Sequence, residues 1–251
     1  MATRKRRRKR HGQVRPAQLI VGTLFVLAAI IVAGRVFVIK HISVTGNQNE
    51  PGSRVVELSG LTLGQSIFGI NKEAITQSFG RSGAVKLLDV HIAYPDRVEL
   101  VVREREAVAV INHLGVYILV DEYGEAIAQI NALPEATMPV VTGLNSTKIQ
   151  IGQPVVTSLY GQGEAIEMVL TQLKRQRFIE AVSELNVADL DNIYLMMRSG
   201  LLVKLGDISH IAEKIKWVPS SMAELASMGK SGGTLDVTSE KMAVYKPQAE
   251  E

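Results

Sequence analysis

A pair of histidines on one helix face, a nucleophile beside a base, or a glycine loop built for phosphate would mark this chain as an enzyme. None of the three is complete. The 251 residues carry five histidines, His11, His41, His91, His113 and His210. No two stand four apart, so no zinc-binding helix face forms, and single histidines at strand edges read as ordinary surface groups. Asp207 and His210 read as a helix cap and a first-turn residue. Asp189 and Asp191 sit in a turn, where nothing in the sequence lifts a carboxyl pKa toward acid–base work. Gly229-Lys230-Ser231 ends like a phosphate loop, but the first glycine of that motif falls on Glu224, whose charge repels phosphate, and the segment follows a helix instead of a strand. Gly161-Gln162-Gly163 has Ile166 where a dinucleotide fingerprint needs its third glycine. Gly80-Arg81-Ser82-Gly83 lacks the G-x-S-x-G spacing of a nucleophile elbow. Cysteine is absent, which removes disulfides, thiolate nucleophiles and thiolate metal sites. Asn145-Ser146-Thr147 is a glycosylation sequon, of consequence only in a cell that glycosylates secreted chains. No residue is assigned a catalytic, cofactor-binding or metal-binding role.

The element around which the rest is organised is a hydrophobic run. Ala17 to Gly34 reads AQLIVGTLFVLAAIIVAG without a charge. As a helix these residues span about 27 Å, against a bilayer core of about 30 Å. After Arg35, which can snorkel, the apolar run resumes with Val36 to Ile39. The fifteen residues before it hold eight Lys/Arg and no acid. By the positive-inside rule the N-terminus stays in the cytoplasm and everything after about residue 40 lies outside. The run exceeds the h-region of a signal peptide, and Val32-Ala33-Gly34 is a weak cleavage site, so an uncleaved anchor is expected.

The formal charge of +3 hides a split. Residues 1–40 hold ten Lys/Arg, leaving 18 of the 28 bases against all 25 acids in residues 41–251, a net −7. An acidic outer part argues against nucleic-acid binding, and a basic block beside a membrane helix sets topology and meets anionic lipid. The 211 residues after the anchor suffice for one large or two small domains resting on their own core.

Ile42 and Val44 alternate with polar residues as a first strand. Pro51 opens a short helix carrying Val55, Val56 and Leu58, closed by Gly60. Asn71 caps a second helix, Lys72 to Phe79, with Ala74, Ile75 and Phe79 inward. Val85 to Ala93 and a strand through Val98, Leu100 and Val102 follow, joined at Tyr94-Pro95-Asp96. From Ala107 the sequence is strand-rich: Val108 to Ile111, Val116 to Val120, Ala126 to Ile130, and Val140-Val141, with Pro134, Pro139, Gly152 and Pro154 in loops. A helix is expected over 161–180, with Ile166, Val169, Leu170 and Leu173 on one face. Strands follow near Leu185 to Val187, Ile193 to Met197 and Leu201 to Leu205. A last helix is expected from Asp207, and its apolar phase runs unbroken from Ile208 to Leu225 through Pro219, so one kinked helix is predicted. Thr234 to Val237 and Met242 to Tyr245 are the closing strands. A hinge is expected near Glu106 and Ala107.

Residues 36–109 resemble a POTRA domain. VFVIKHISVTGN, LTLGQSIFGI and LLDVHIAYPDRVELVVREREAVAVI carry the pattern: a strand ending V-x-G-N, L-x-x-G-x-x-I-F, and V-x-I-x-Y-P-x-x-V-x-L-x-V-x-E-R. With a basic tail, one membrane helix and a following β domain, the chain resembles the bacterial cell-division family FtsQ/DivIB. VDEYG (120–124), PVVTG (139–143), SGLLVKLG (199–206) and Leu235-Asp236-Val237 agree. Two departures fall at the POTRA edges: Glu106 where the family often has proline, and Gly83-Ala84-Val85 where it often has a Pro-Val start.

The resemblance implies an α+β protein: a basic cytoplasmic tail (1–16), a transmembrane helix (17–38), a POTRA domain of β-α-α-β-β order (39–107), a mostly antiparallel β domain with two helices (108–246) and a short tail (247–251). It implies a single-pass cell-membrane protein at the division septum, a scaffold and not an enzyme. It would bind FtsL and FtsB (DivIC in some bacteria), help control septal peptidoglycan synthesis, and take no cofactor, nucleic acid or small-molecule substrate. In the family the last β-domain strand receives a partner strand; the matching residues are Lys241, Met242, Ala243, Val244 and Tyr245. On residues alone a plain terminal strand is the favoured reading, because terminal strands are common; the family resemblance reverses that. The rival reading is a membrane-anchored extracytoplasmic enzyme such as a wall hydrolase. A sensor or transport-complex protein would share the fold and differ in partners.

Overall fold

The computed structural model describes residues 16–133, 138–144, 146–239 and 241–248. The expected basic tail through residue 15, Pro134, Asn145 of the sequon and the last residues of the C-terminal tail lie outside them. Helix α1 runs Pro16–Val36 for 21 residues. Side chains at 16–19, 29, 30 and 33 are not described, and among the described residues no helix is long and apolar enough to cross a membrane. The anchor therefore remains an expectation.

The first folded unit follows at once. Strand β1 (His41–Thr45), helices α2 (Gly52–Ser59) and α3 (Lys72–Phe79), and strands β2 (Val85–Ala93) and β3 (Arg97–Glu104) follow in the expected order. The sheet is ordered β1-β3-β2, with β1 parallel and β2 antiparallel to the central β3. Pro51 precedes α2 in an extended conformation, and Gly60 ends it in the left-handed region at φ 68°, where a Cβ is disfavoured. The Asn71 side chain accepts the Ala74 N–H at 3.0 Å, satisfying one of the free donors at the start of α3. Ile75 and Phe79 face inward. Ala74, expected beside them, is exposed, because it lies on the capped first turn away from the sheet. Val55, Ile67, Phe79, Val90, Leu100 and Val102 fill one core, each large apolar side chain contributing about 1.5–3 kcal/mol on burial. The glutamate of the E-R pair has a local task. Glu104 accepts the Asn49 and Glu50 N–H groups at 2.7 Å, and that of Gln48, and these backbone donors hold its carboxyl below the usual range.

The second unit holds β4 (Ala109–His113), β5 (Val116–Val120), β6 (Ala126–Ile130), β7 (Val140–Thr142), β8 (Ser146–Lys148), β9 (Val156–Thr157), α4 (Gln162–Arg175), β10 (Val182–Asn186), β11 (Ile193–Met197), β12 (Leu202–Gly206), α5 (Ile211–Ser227), β13 (Thr234–Asp236) and β14 (Val244–Lys246). Nine strands form one sheet, ordered β14-β13-β12-β11-β10-β7-β4-β5-β6. Five of its eight pairings are antiparallel and three, β7–β10, β4–β7 and β12–β13, are parallel. Both α4 and α5 contribute to its core, through Ile166, Val169, Leu170 and Leu173 and through Ile211, Ile215 and Val218. Two of the parallel pairs follow from these helices: α4 lies in the crossover from β7 to β10 and α5 in that from β12 to β13, while β4 reaches β7 through the intervening strands β5 and β6. Strands β8 and β9 pair separately, where only loops were expected.

Two helix boundaries differ from expectation. Helix α4 stops at Arg175, five residues early. Arg177 adopts φ 54°, and the apolar residues after Leu173 instead form a short 3-10 turn, Ile179–Ala181, leading into β10. Helix α5 starts at Ile211, not after Asp207. Asp207 is instead an ion-pair partner: the Lys214 ammonium, only 3% exposed, donates to its carboxylate at 2.8 Å and its carbonyl at 2.9 Å. The Lys214 and Ser209 donors pull the Asp207 carboxyl down to about 2. As predicted, α5 runs through Pro219 without a break.

The Asp207 pair makes a testable expectation. Asp207→Asn removes the charge opposite a buried ammonium and should cost about 1 kcal/mol in urea titration at neutral pH, because the carboxylate is half exposed and screened by solvent and Lys214 keeps the Asp207 carbonyl. Because the folded carboxyl is depressed, the stabilisation is present above the unfolded value near 3.8 and disappears as pH falls toward about 2. Variant and wild type should therefore converge in acid; a difference independent of pH would contradict this role.

Candidate partner-binding edge

Strand β14 is one of the two end strands of the nine-stranded sheet, with β6 at the other end. It pairs antiparallel with β13, Leu235 opposite Tyr245 and Asp236 opposite Val244. An end strand has one side of its backbone paired and the other side available for a ladder. The expected site residues divide. Val244 and Tyr245 lie in β14, while Lys241, Met242 and Ala243 form the turn and extended lead into it, so the strand starts two residues later than expected. Thr238 supplies the reason: with its N–H and hydroxyl on Asp236 at 3.1 and 2.7 Å it ends β13 in a tight turn, and the chain needs the following residues to reverse. These bonds, the hydroxyl first, hold the Asp236 carboxyl below its usual range.

The two β14 side chains point to different work. Tyr245 is half-buried against the sheet core; its hydroxyl donates to the Gly232 carbonyl at 3.3 Å and the Lys230 ammonium lies 5.3 Å from its ring centre. Gly233 makes room for it: a Cβ there would sit 2.6 Å from the Lys246 carbonyl oxygen, and φ is 85°. Val244 is 43% exposed and Met242 58% exposed, so the exposed apolar surface at this edge comes from these two. A cleft of about 270 Å³ lies beside it, between the end of α5 and Gly229 to Gly232.

A second feature was not foreseen: a charged joint between the two units. Arg105, with 2% of its side chain exposed, reaches Glu125 at 3.1 Å and the Gly152 carbonyl at 3.0 Å. Lys86 pairs with the same carboxylate from β2. Arg103 lies 3.7 Å from Asp121 and stacks 3.9 Å from the Tyr123 ring centre. The Asp121 carboxylate accepts the Tyr123 and Glu125 N–H groups at 3.0 and 2.9 Å, yet burial raises its pKa. Both departures noted in the sequence fall here. A Cβ at Gly83 would lie 1.8 Å from the Ile127 carbonyl oxygen, so no larger residue fits, and Glu106 pairs with Lys174 at 3.1 Å. The signal was present as charges at the ends of apolar strands, in VREREA and VDEYG. Their mutual contact is a tertiary fact that spacing does not give.

Among the described residues no group of three or more His, Asp or Glu could hold a metal ion. The cleft of about 460 Å³ at the joint is lined by Arg105, Glu125 and Lys86, whose charges are engaged with one another.

A β-α-α-β-β unit joined to a large mixed sheet is a POTRA-type α+β architecture. Residues 37–105 match a family model described as "POTRA domain, FtsQ-type", and residues 109–238 one described as "Cell division protein FtsQ/DivIB, C-terminal". The chain belongs to the FtsQ/DivIB family of bacterial cell-division proteins. It is similar to "Cell division protein DivIB" of Bacillus subtilis, 24% identical over 76% of this chain and 69% of that one, and of Geobacillus kaustophilus, 23% identical over 99% and 91%. The DivIB of Staphylococcus aureus is 23% identical over 77% of this chain, but the match spans only 41% of its length. A solved structure, the major extracytoplasmic domain of DivIB from Geobacillus stearothermophilus, covers 49% of this chain and 96% of that one, with 20% identity and a TM-score of 0.33. The residues of β14 lie beyond the matched stretch, which ends at 238.

Proposed function

We propose that this division protein is a membrane-anchored, non-enzymatic scaffold that captures a partner strand on β14. The observation that carries the proposal is the position of β14 at the end of a nine-stranded sheet. Strand addition to such an edge gives affinity through main-chain hydrogen bonds and specificity through alternate side chains. Within an FtsQ/DivIB protein the fitting partners are the FtsL and FtsB/DivIC division proteins, and through them septal peptidoglycan synthesis is controlled. Lys241, Met242, Ala243, Val244 and Tyr245 form the proposed contact segment: Met242 and Val244 offer apolar side chains, and Tyr245 anchors the strand to its own sheet. The direct test is capture of FtsB/DivIC by the purified full chain, wild type against Val244→Pro. Equal capture by both, with unchanged circular dichroism, rejects the edge as the site.

The membrane anchor belongs to the same proposal. Helix α1 shows apolar side chains on every face: Ile20, Val21, Leu24, Phe25, Val26, Leu27, Ile31 and Val32 are each at least half exposed. A helix apolar all round suits lipid, not water. The proposed limits are a cytoplasmic tail (1–16), a span (17–38), a POTRA domain (39–107), a β domain (108–246) and a C-terminal tail (247–251), with the domains facing outward at the division septum. Protease added outside spheroplasts should digest residues 41–251 and spare the N-terminal tail. A mature chain starting near Arg35 would contradict the anchor.

A further inference from the structure

The POTRA domain carries an exposed aromatic cluster at its connection to α1. Phe37, Phe68 and Tyr94 come from three separate segments, yet their ring centres lie 5.1, 5.8 and 6.4 Å apart. Phe68 is 67% and Tyr94 60% exposed, and Leu63, on the same α2–α3 loop as Phe68, is 67% exposed. Phe37 packs partly against the domain core, and the two exposed rings beside it form an apolar patch that water does not favour unless something covers it.

The backbone fixes where the cluster sits. Val36 is the last residue of α1 and Phe37 the next. The α2–α3 loop is tied to the chain leaving α1: Ile67 N–H donates to the Phe37 carbonyl at 3.1 Å, Ile39 N–H to Gln65 at 2.9 Å and Gly64 N–H to Ile39 at 2.8 Å. The β2–β3 turn is tied there too, through Lys40 N–H to the Asp96 carbonyl at 2.9 Å. Phe68 and Tyr94 are thus held within one ring contact of the residue where the helix ends. Bases flank them: Arg35 in the last turn of α1, Lys40 paired to Asp96 at 3.4 Å, and exposed Arg97. Aromatic rings with an adjacent fringe of Lys/Arg are the composition of a membrane–water interface.

We infer that Phe37, Phe68, Tyr94 and Leu63 seat the POTRA domain on the outer lipid surface, so that the domain rests on the bilayer at the exit of α1 instead of swinging from it. The inference rests on the anchor proposed above. The occupant is lipid, because the cluster is continuous with a helix whose own apolar surface ends one residue earlier. Seating would fix the direction in which the β domain, joined through Arg103 and Arg105, projects from the membrane.

The test uses the full chain in nanodiscs carrying lipids brominated at either of two chain depths, in a Trp217→Phe background with one tryptophan added at a time. Leu24→Trp reports the anchor, Phe68→Trp the seat, and Leu114→Trp, at a 91% exposed turn between β4 and β5, the free surface. Deep bromines should quench Leu24→Trp. Bromines near the headgroup should remove roughly half of the Phe68→Trp emission, as for an interfacial ring, and leave Leu114→Trp unchanged. If Leu24→Trp is quenched but Phe68→Trp behaves like Leu114→Trp, the anchor stands and the seat is overturned, leaving the rings to a protein partner. If Leu24→Trp is not quenched, anchor and seat fall together. Phe68→Ser, also folded by circular dichroism, should blue-shift Tyr94→Trp less than the Phe68 parent does; an equal shift would count against the cluster acting as a unit.

Discussion

Glu125→Gln should lower unfolding free energy by about 3–5 kcal/mol, the usual cost of removing one partner from a buried pair. The substitution keeps the shape and removes only the charge. It leaves Arg105 with 2% of its side chain exposed and without a carboxylate, and takes from Lys86 its partner. Replacing both members by apolar residues, Arg105→Met with Glu125→Leu, should recover much of the loss, since a desolvated ion pair is worth little more than good packing. Asp121→Asn should behave differently. Burial raises the Asp121 carboxyl in the folded chain, so its favourable contribution is present below the unfolded value and is lost as pH rises through the folded one. At neutral pH the amide should cost little, because its oxygen still accepts the Tyr123 and Glu125 N–H groups. Equal losses for Glu125→Gln and Asp121→Asn in denaturant titrations at neutral pH would contradict this account of the joint.

The second large effect is expected at the partner edge. Val244→Pro removes a backbone N–H and fixes φ in β14, which strand pairing tolerates poorly when that N–H faces the added strand. Capture of FtsB/DivIC should weaken about a hundredfold, equivalent to about 2.7 kcal/mol. Tyr245→Ala removes an aromatic ring, a residue type whose loss costs about 2 kcal/mol or more at a hot spot. Its half-buried ring and bond to Gly232 mean that it should also loosen β14 from β13. Met242→Ser, at an exposed position, separates the two effects: weaker binding with unchanged stability marks contact with the partner.

The POTRA half was legible because its signals are local. Pro51, Gly60 and Asn71 mark helix ends by their own chemistry, and alternation marks the strands. The second half was legible where the apolar phase is long, as in α5 through Pro219, and less so where neighbours decide. Helix α4 ends at Arg175 because the following residues are drawn into a 3-10 turn before β10, and nothing near residue 176 announces that. The β8–β9 pair is too short to carry a period. Asp207 looked like a cap because aspartate often is one; a lysine seven residues on, buried by the fold, claimed it instead. At the candidate site, sequence alone gave a terminal strand and no more. The family resemblance supplied the partner, and tertiary structure supplied which side chains are free. Gly83 and Glu106 stood out only as departures, and their cause is the neighbouring domain.

Hydrogen exchange of the full chain in nanodiscs, with and without FtsB/DivIC, tests the central claim most directly. The account predicts that partner binding slows exchange in the peptide covering 241–248, with the largest protection in β14 and a smaller effect in β13. Bound partner with unchanged exchange at 241–248, and protection on α4 or the POTRA face instead, would contradict it.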